Sequence, residues 1–160
     1  MSQKTVLITG CSTGIGRLAA RTFQAAGWNV IATMRRPQEE TELNQLENVL
    51  VAPLDVTDSD SVDAAIAAGI DRFGGVDVLV NNAGRGGRAL RQHFTNSADN
   101  AGGGTPADPQ EVADRIFICA TQDTPLQNPV GKDAEMIMGM MAAPPRQEFL
   151  DKLAPMILPE

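Results

Sequence analysis

Along the first half of the chain, short apolar runs alternate with stretches whose apolar residues recur at helical spacing. Thr5 to Thr9 are β-branched or apolar with little alternation, as in a central parallel strand covered on both faces. Ile15, Leu18, Ala19, Thr22, Phe23 and Ala26 then fall on one helical stripe, and Gly27 sits where a left-handed stop is wanted. Asn29 to Thr33 read as a second buried strand, followed by Met34-Arg35-Arg36-Pro37 and a polar helix expected near Gln38 to Leu46. Asn48 to Leu54 make a third strand that ends at Asp55-Val56-Thr57-Asp58. With Asp58 or Ser59 as its cap, a further helix places Val62, Ile66, Ile70 and Phe73 on one stripe, and Gly74-Gly75 ends it. Val76 to Asn81 is the fourth strand. This alternation predicts an α/β fold: parallel strands in the order 3-2-1-4, right-handed crossovers and helices on both faces, half of a doubly wound sheet.

From Arg85 to Ala107 the periodicity dissolves into Gly, Arg, Asn, Ser and Asp, including Gly102-Gly103-Gly104. A structureless connection of that length is uncommon inside a compact domain. Order resumes at Asp108, with Pro109 at a first-turn position, Glu111 placed to complete a capping box, and Val112, Ile116 and Cys119 as an apolar stripe. Two shorter helices are expected around Lys132 to Met141 and Arg146 to Leu153, separated by Pro144-Pro145. Met136, Met138, Met140 and Met141 read as core filler or an adaptable hydrophobic surface rather than a metal site. The expected organisation is a βαβαβαβ half over 1–84, an irregular Gly/polar junction over 85–107, and a helical segment over 108–160 packed on the same domain.

A length of 160 residues fits one domain, and the net charge of −7 argues against general binding to nucleic acid or an anionic membrane. Local basic spots remain able to hold a phosphate. The two cysteines, Cys11 and Cys119, have no metal-ligand spacing, and Cys119 is expected on an apolar helix face where a thiol is inert. The chain enters a strand within a few residues and carries no apolar run long enough to span a bilayer, so no signal peptide and a reducing, cytoplasmic setting are expected.

Within this frame, Gly10, Gly14 and Gly16 follow the first strand directly and open the first helix. They read as a nucleotide-phosphate cradle. Gly10 permits the tight turn, Gly14 permits backbone approach to a pyrophosphate, and Gly16 permits close helix packing, with the helix N-terminus facing the anion. A Gly-rich strand–helix turn without a ligand has the same local pattern.

The spacing Gly-x-x-x-Gly-x-Gly after Thr9, joined to Asn81-Asn82-Ala83-Gly84, resembles the short-chain dehydrogenase/reductase family through about Gly84. The resemblance implies a partial Rossmann-type sheet and a dinucleotide cofactor. It places Ser12, Thr13 and Ile15 along the phosphate path, and Asp55 with Val56 against the adenine. Asn82, Ala83 and Gly84 would run beside the ribose. A turn carboxylate at Asp55 and a plain turn at Asn82 to Gly84 are the alternatives. Arg35 and Arg36 stand where a site for NAD usually carries Asp or Glu, so NADP(H) is expected in preference to NAD(H), with unpartnered surface arginines as the alternative.

The family's chemistry uses a Tyr, a Lys four residues later and a Ser. This chain contains no Tyr, and Lys4, Lys132 and Lys152 lie in no such arrangement. Asp108 to Ala113 and Pro129 to Ala134 resemble the end of the same family, which suggests an internal deletion between Gly84 and Asp108. His93, Ser97 and Cys119 have no recognisable catalytic partner. The expectation is therefore a family member that binds NADP(H) with impaired or absent hydride transfer. The alternative is a non-enzymatic nucleotide-sensing or protein-interaction module that self-associates through the exposed edge of strand four.

Overall fold

Thr5–Thr9 form β1, and all five residues are buried, as a strand with no charged side chain permits. The computed structural model describes residues 3–84, 108–125, 127–131, 134, 135 and 139. β2 (Asn29–Met34) is likewise buried throughout, whereas β3 (Val49–Pro53) and β4 (Val78–Val80) are partly exposed. All pairings are parallel and the order is β3-β2-β1-β4, with Leu7 opposite both Ile31 and Leu79. Asp77 anchors the start of β4: its carboxylate accepts from Thr5 N at 2.7 Å and its N–H donates to Thr5 O at 2.9 Å.

Strand alternation divides the core into two layers. Val6, Ile8, Val30, Ala32 and Met34 meet Ala19, Ala20 and Phe23 of α1 (Gly14–Ala25) on one face. Leu7, Ile31, Ala52 and Leu54 meet Ala65 of α2 (Ser59–Phe73) on the other. Each fully buried branched or aromatic side chain contributes roughly 1.5–3 kcal/mol relative to exposure.

The helix ends follow local chemistry. Past the last turn of α1, Trp28 N donates to Phe23 O (3.1 Å) and Gly27 N to Gln24 O (2.9 Å), with Gly27 at φ 82°. This double closure brings the Trp28 ring to 5.2 Å from that of Phe23. At α2, the Asp58 carboxylate accepts from Asp60 N and Ser61 N. The third helix, α3 (Pro109–Thr121), is capped by Asp108 through Gln110 N and lies along α1. Phe117 packs edge-on against Phe23 (5.0 Å) and Trp28 (6.4 Å), and Gln110 Nε2 donates to Thr22 Oγ1 at 3.1 Å.

Four expectations are corrected. The polar helix expected near Gln38 to Leu46 is instead two short 3-10 turns, Pro37–Glu39 and Leu43–Gln45. Between them Glu40 is extended, and its buried carboxylate takes the N–H groups of Glu42 and Leu43, which competes with helix formation. On α2, Ile66 and Ile70 are exposed, and the residues turned fully inward are Ala65 and Gly69. A methyl at Gly69 would lie 2.2 Å from Ile31 Cδ1, so small residues let this helix sit close to the sheet. On α3 the face packed inward is Ala113, Ile116, Phe117 and Ala120, which leaves Cys119 exposed. β4 is also shorter than the expected Val76 to Asn81.

The expected junction over 85–107, with His93 and Ser97, lies outside the described residues, as do the expected helix at 146–153 and most of that at 132–141.

Phe117 is the hinge of the α1–α3 contact, and Trp28 is the chain's single tryptophan. Phe117→Ala is expected to lower stability by about 3 kcal/mol and to red-shift Trp28 emission, measured by urea unfolding followed by fluorescence. An unchanged spectrum and midpoint would contradict this packing.

Candidate functional site

Because every strand runs the same way, the loops that follow β1, β2, β3 and β4 emerge at one end of the sheet. That end carries Gly10 to Gly16, Arg35 and Arg36, Asp55 and Val56, and Asn82 to Gly84. The chain leaves β1 toward β2 through α1 and returns through α2 to β4 on the other side of β1, so β1 and β4 flank the point where the strand order reverses. Ligand crevices of open α/β sheets form at such points.

The glycine loop is tied down from two sides. Gly10 N and Cys11 N both donate to Thr33 O, at 3.0 and 2.9 Å, so these two N–H groups are committed to the end of β2. Thr9 Oγ1 accepts from Asn82 N and Ala83 N, each at 3.0 Å, while Asn82 Nδ2 donates to Thr9 O (2.9 Å) and Gly10 O (3.1 Å). The space left is minimal. A Cβ on Gly16 would meet Asn82 Nδ2 at 2.4 Å and Gly10 O at 2.5 Å, and one on Gly10, whose φ is 76°, would meet Ala83 Cα at 3.0 Å. Gly14 differs: its φ is 63° and nothing lies within 4 Å of the position its Cβ would take.

Thr13 occupies the N-cap position of α1, yet its hydroxyl makes no capping bond, and Ser12 and Thr13 are both exposed. The first-turn N–H groups therefore have no capping side-chain acceptor among the described residues, and the positive end of the helix opens beside Gly14. Ile15 is half-buried behind them. The open side of Gly14 and the uncapped helix start fit the phosphates of a dinucleotide.

The other expected residues are in different states of engagement. Arg35 is exposed and makes no ion pair or hydrogen bond among the described residues, whereas Arg36 Nη1 lies 3.2 Å from Glu39 Oε1 in an exposed pair. Asp55 Oδ1 accepts from Thr57 N (3.0 Å) and Thr57 Oγ1 (2.8 Å), and Asp55 N donates to Ser61 Oγ (2.9 Å), so this residue shapes the turn into α2. Beside it Val56 is 53% exposed. Ala83 and Gly84 are exposed, and Asn82 is half-buried by its bonds to the glycine loop.

Two residues at this end carry no sequence signal that would single them out. Arg17 Nη2 donates to Glu40 Oε1 at 2.6 Å, where the Glu40 side chain is 2% exposed. The same oxygen accepts from Glu42 N (2.8 Å) and Leu43 N (2.9 Å). Burial alone would raise the Glu40 pKa; the two backbone donors and the Arg17 guanidinium outweigh it and hold the carboxyl below the usual glutamate value. Cys11 is inert by comparison. Its thiol is fully buried, donates to Ile8 O at 3.2 Å and is pushed up to about 12, chiefly by burial.

Among the described residues no group of His, Cys, Asp or Glu is placed to hold a metal, and no helix is long and apolar enough to cross a membrane. An open groove of about 450 Å³ runs between β4 and α3, lined by Val78, Val80, Ile116 and Cys119 among others, away from the glycine loop.

This fold defines a Rossmann-type α/β protein. A family model described as short chain dehydrogenase matches residues 4–101, and the chain belongs to that family. The match continues beyond Gly84 to residue 101. A short-chain dehydrogenase, ptmH, of Penicillium ochrochloron is 44% identical over 88 residues, covering 54% of this chain and 32% of the relative. A sulfoacetaldehyde reductase of Chromohalobacter salexigens is 47% identical over 83 residues, covering 49% and 33%. The chain thus spans about a third of the length of the curated relatives it matches. Among solved structures, a 3-ketoacyl-(acyl-carrier-protein) reductase from Brucella melitensis complexed with NADH is 35% identical, with a TM-score of 0.48 over 52% of this chain and 35% of that one.

Gly16→Ala sets two effects against each other. Helix propensity favours Ala by about 1 kcal/mol, but the new methyl collides with a backbone oxygen and the Asn82 amide. The collision is expected to win, with a net loss of about 2 kcal/mol in chemical denaturation. A stabilised variant would contradict the close approach.

Proposed function

We propose that this chain binds a nicotinamide dinucleotide, prefers NADP(H) to NAD(H), and transfers hydride poorly or not at all. The observation that carries the binding is the glycine loop: held by Asn82, open at Gly14, and facing an uncapped helix start. In this reading Gly10 and Gly16 hold the loop's shape, and Ser12, Thr13, Gly14 and Ile15 receive the phosphates. Asn82, Ala83 and Gly84 run beside the ribose, and Asp55 and Val56 meet the adenine. Arg35 and Arg36 receive the 2′-phosphate, where a guanidinium supplies paired donors to the phosphate oxygens. Bound there, the cofactor would supply or accept the hydride. Proton delivery is the weak point: the sequence contains no tyrosine, and a positioned general acid is worth roughly 10²–10⁴ in rate. An internal deletion between Gly84 and Asp108 accounts for that loss, and a cytoplasmic setting belongs to the same reading.

Calorimetric titration tests it. NADPH is expected to bind about tenfold or more tightly than NADH, and Arg35→Ala and Arg36→Ala to reduce that ratio. A folded protein that binds neither nucleotide, or a ratio untouched by both substitutions, overturns it.

A second reading is supported by β4. Its outer edge has no partner among the described residues, its three residues carry no charge, and Leu79 is 58% exposed. An unprotected edge of this kind favours pairing with another chain, and the protein would then act as a self-associating interaction module. Sedimentation velocity is expected to show concentration-dependent oligomers that Leu79→Lys dissolves. A wild-type monomer at high concentration counts against the association.

A further inference from the structure

Arg17 and Glu40 belong to neither the glycine motif nor the arginine pair, yet they join the two. Arg17 follows Gly16 in the first turns of α1, and its Nη1 donates to Ser12 O at 3.4 Å, inside the cradle loop. Its Nη2 reaches Glu40 Oε1 at 2.6 Å, inside the segment that continues from Arg35 and Arg36. Around the Glu40 carboxylate the two 3-10 turns are folded, through Glu42 N and Leu43 N. One guanidinium thus touches the loop that receives the pyrophosphate and neutralises a buried carboxylate a few residues beyond the arginines that receive the 2′-phosphate. Its Nε is buried with no hydrogen-bond partner among the described residues, so its charge is incompletely spent there.

We infer that Arg17 and Glu40 are positioning residues that set the discrimination between phosphorylated and unphosphorylated dinucleotides. This rests on the cofactor reading above and extends it to residues that need not touch the ligand. The sign follows from electrostatics. A buried carboxylate without its cation leaves negative potential at the end of β2, which opposes a phosphate and scarcely affects ribose hydroxyls. A neutral group at position 40 leaves the guanidinium only its longer contact with the exposed Glu42 carboxylate, at 3.7 Å, and so favours the phosphate.

The experiment is titration of the full chain with NADPH and with NADH for wild type, Arg17→Met, Glu40→Gln and the double variant, each checked for folding by circular dichroism. Arg17→Met is expected to lower the NADPH-to-NADH affinity ratio about tenfold. Glu40→Gln retains an acceptor oxygen for Glu42 N and Leu43 N and is expected to raise the ratio several-fold. The double variant is expected to return close to wild type, the coupling expected of residues acting as a pair. A purely structural role would weaken both nucleotides alike and leave the ratio fixed, which overturns the inference. Should Arg17→Met fail to fold, Glu40→Gln decides alone, and an unchanged ratio there has the same consequence. A folded wild type that binds neither nucleotide is a different failure: it removes the cofactor reading itself, and this inference with it.

Discussion

The amide of Asn82 is the contact on which the rest of this end of the molecule depends. It donates to two carbonyls of the β1 loop while Thr9 Oγ1 collects two N–H groups from the β4 loop, so four bonds fix the loops across the reversal point of the sheet. Only a double donor serves there, since a carboxylate of the same shape would face two acceptors. The first turn of α1 then rests on that bridge through Gly16, with no room for a methyl. The position and roll of α1 are thereby set at its start, and they determine that Ala19, Ala20 and Phe23 meet the sheet. Phe23 in turn offers the surface on which Phe117 brings α3 to rest. A polar contact at the mouth of the site thus orders an apolar stack that runs to the far end of the helix.

The two faces of the sheet are covered unequally. On the α1 face, three aromatic rings and a third helix seal β1 and β2. On the other face α2 works by closeness rather than bulk, with Ala65 and Gly69 turned inward and Ile66 and Ile70 left toward solvent. Leu7 is covered there, while Leu79, its neighbour on β4, is not. The most buried strands are therefore β1 and β2, which carry Thr9 and Thr33, while β4 is paired with β1 along its three residues, packs Val78 and Val80 on the core, and is tied at its ends by Asp77 and Asn82.

What was legible in the sequence was what local chemistry decides. The strand order follows from alternation and crossover handedness. The stop at Gly27 and the cap at Asp58 follow from backbone freedom and a short acceptor side chain. The inward faces of α2 and α3 are legible in part: Val62, Phe73 and Ile116 pack on the core as their spacing predicts, while Ala65, Gly69 and Ala113 take the closest positions and Ile66, Ile70 and Cys119 lie outward. The helix expected after β2 was misjudged. Glu40 reads as one carboxylate in a polar run, and its governing partner, Arg17, lies 23 residues earlier on another element. At Asp55 the carboxylate is engaged in the turn at Thr57, at the end of the sheet where the loops after the strands emerge.

A net charge of −7 leaves room for local basic character, because only the local balance acts over a few ångströms. At the end of β2 the carboxylates of Glu39, Glu40 and Glu42 outnumber neither their partners nor their effect: Glu39 faces Arg36, Glu40 faces Arg17, and Glu42 faces Arg21. Arg35 remains without a partner among the described residues. An exposed pair such as Arg36 with Glu39 holds at most about 1 kcal/mol, so it opens at small cost. The buried pair cannot be exchanged so cheaply, because separating it strands a charge in a low-dielectric setting. Arg35 and Arg36 are thus exposed and weakly held, whereas Arg17 is tied to the buried carboxylate of Glu40.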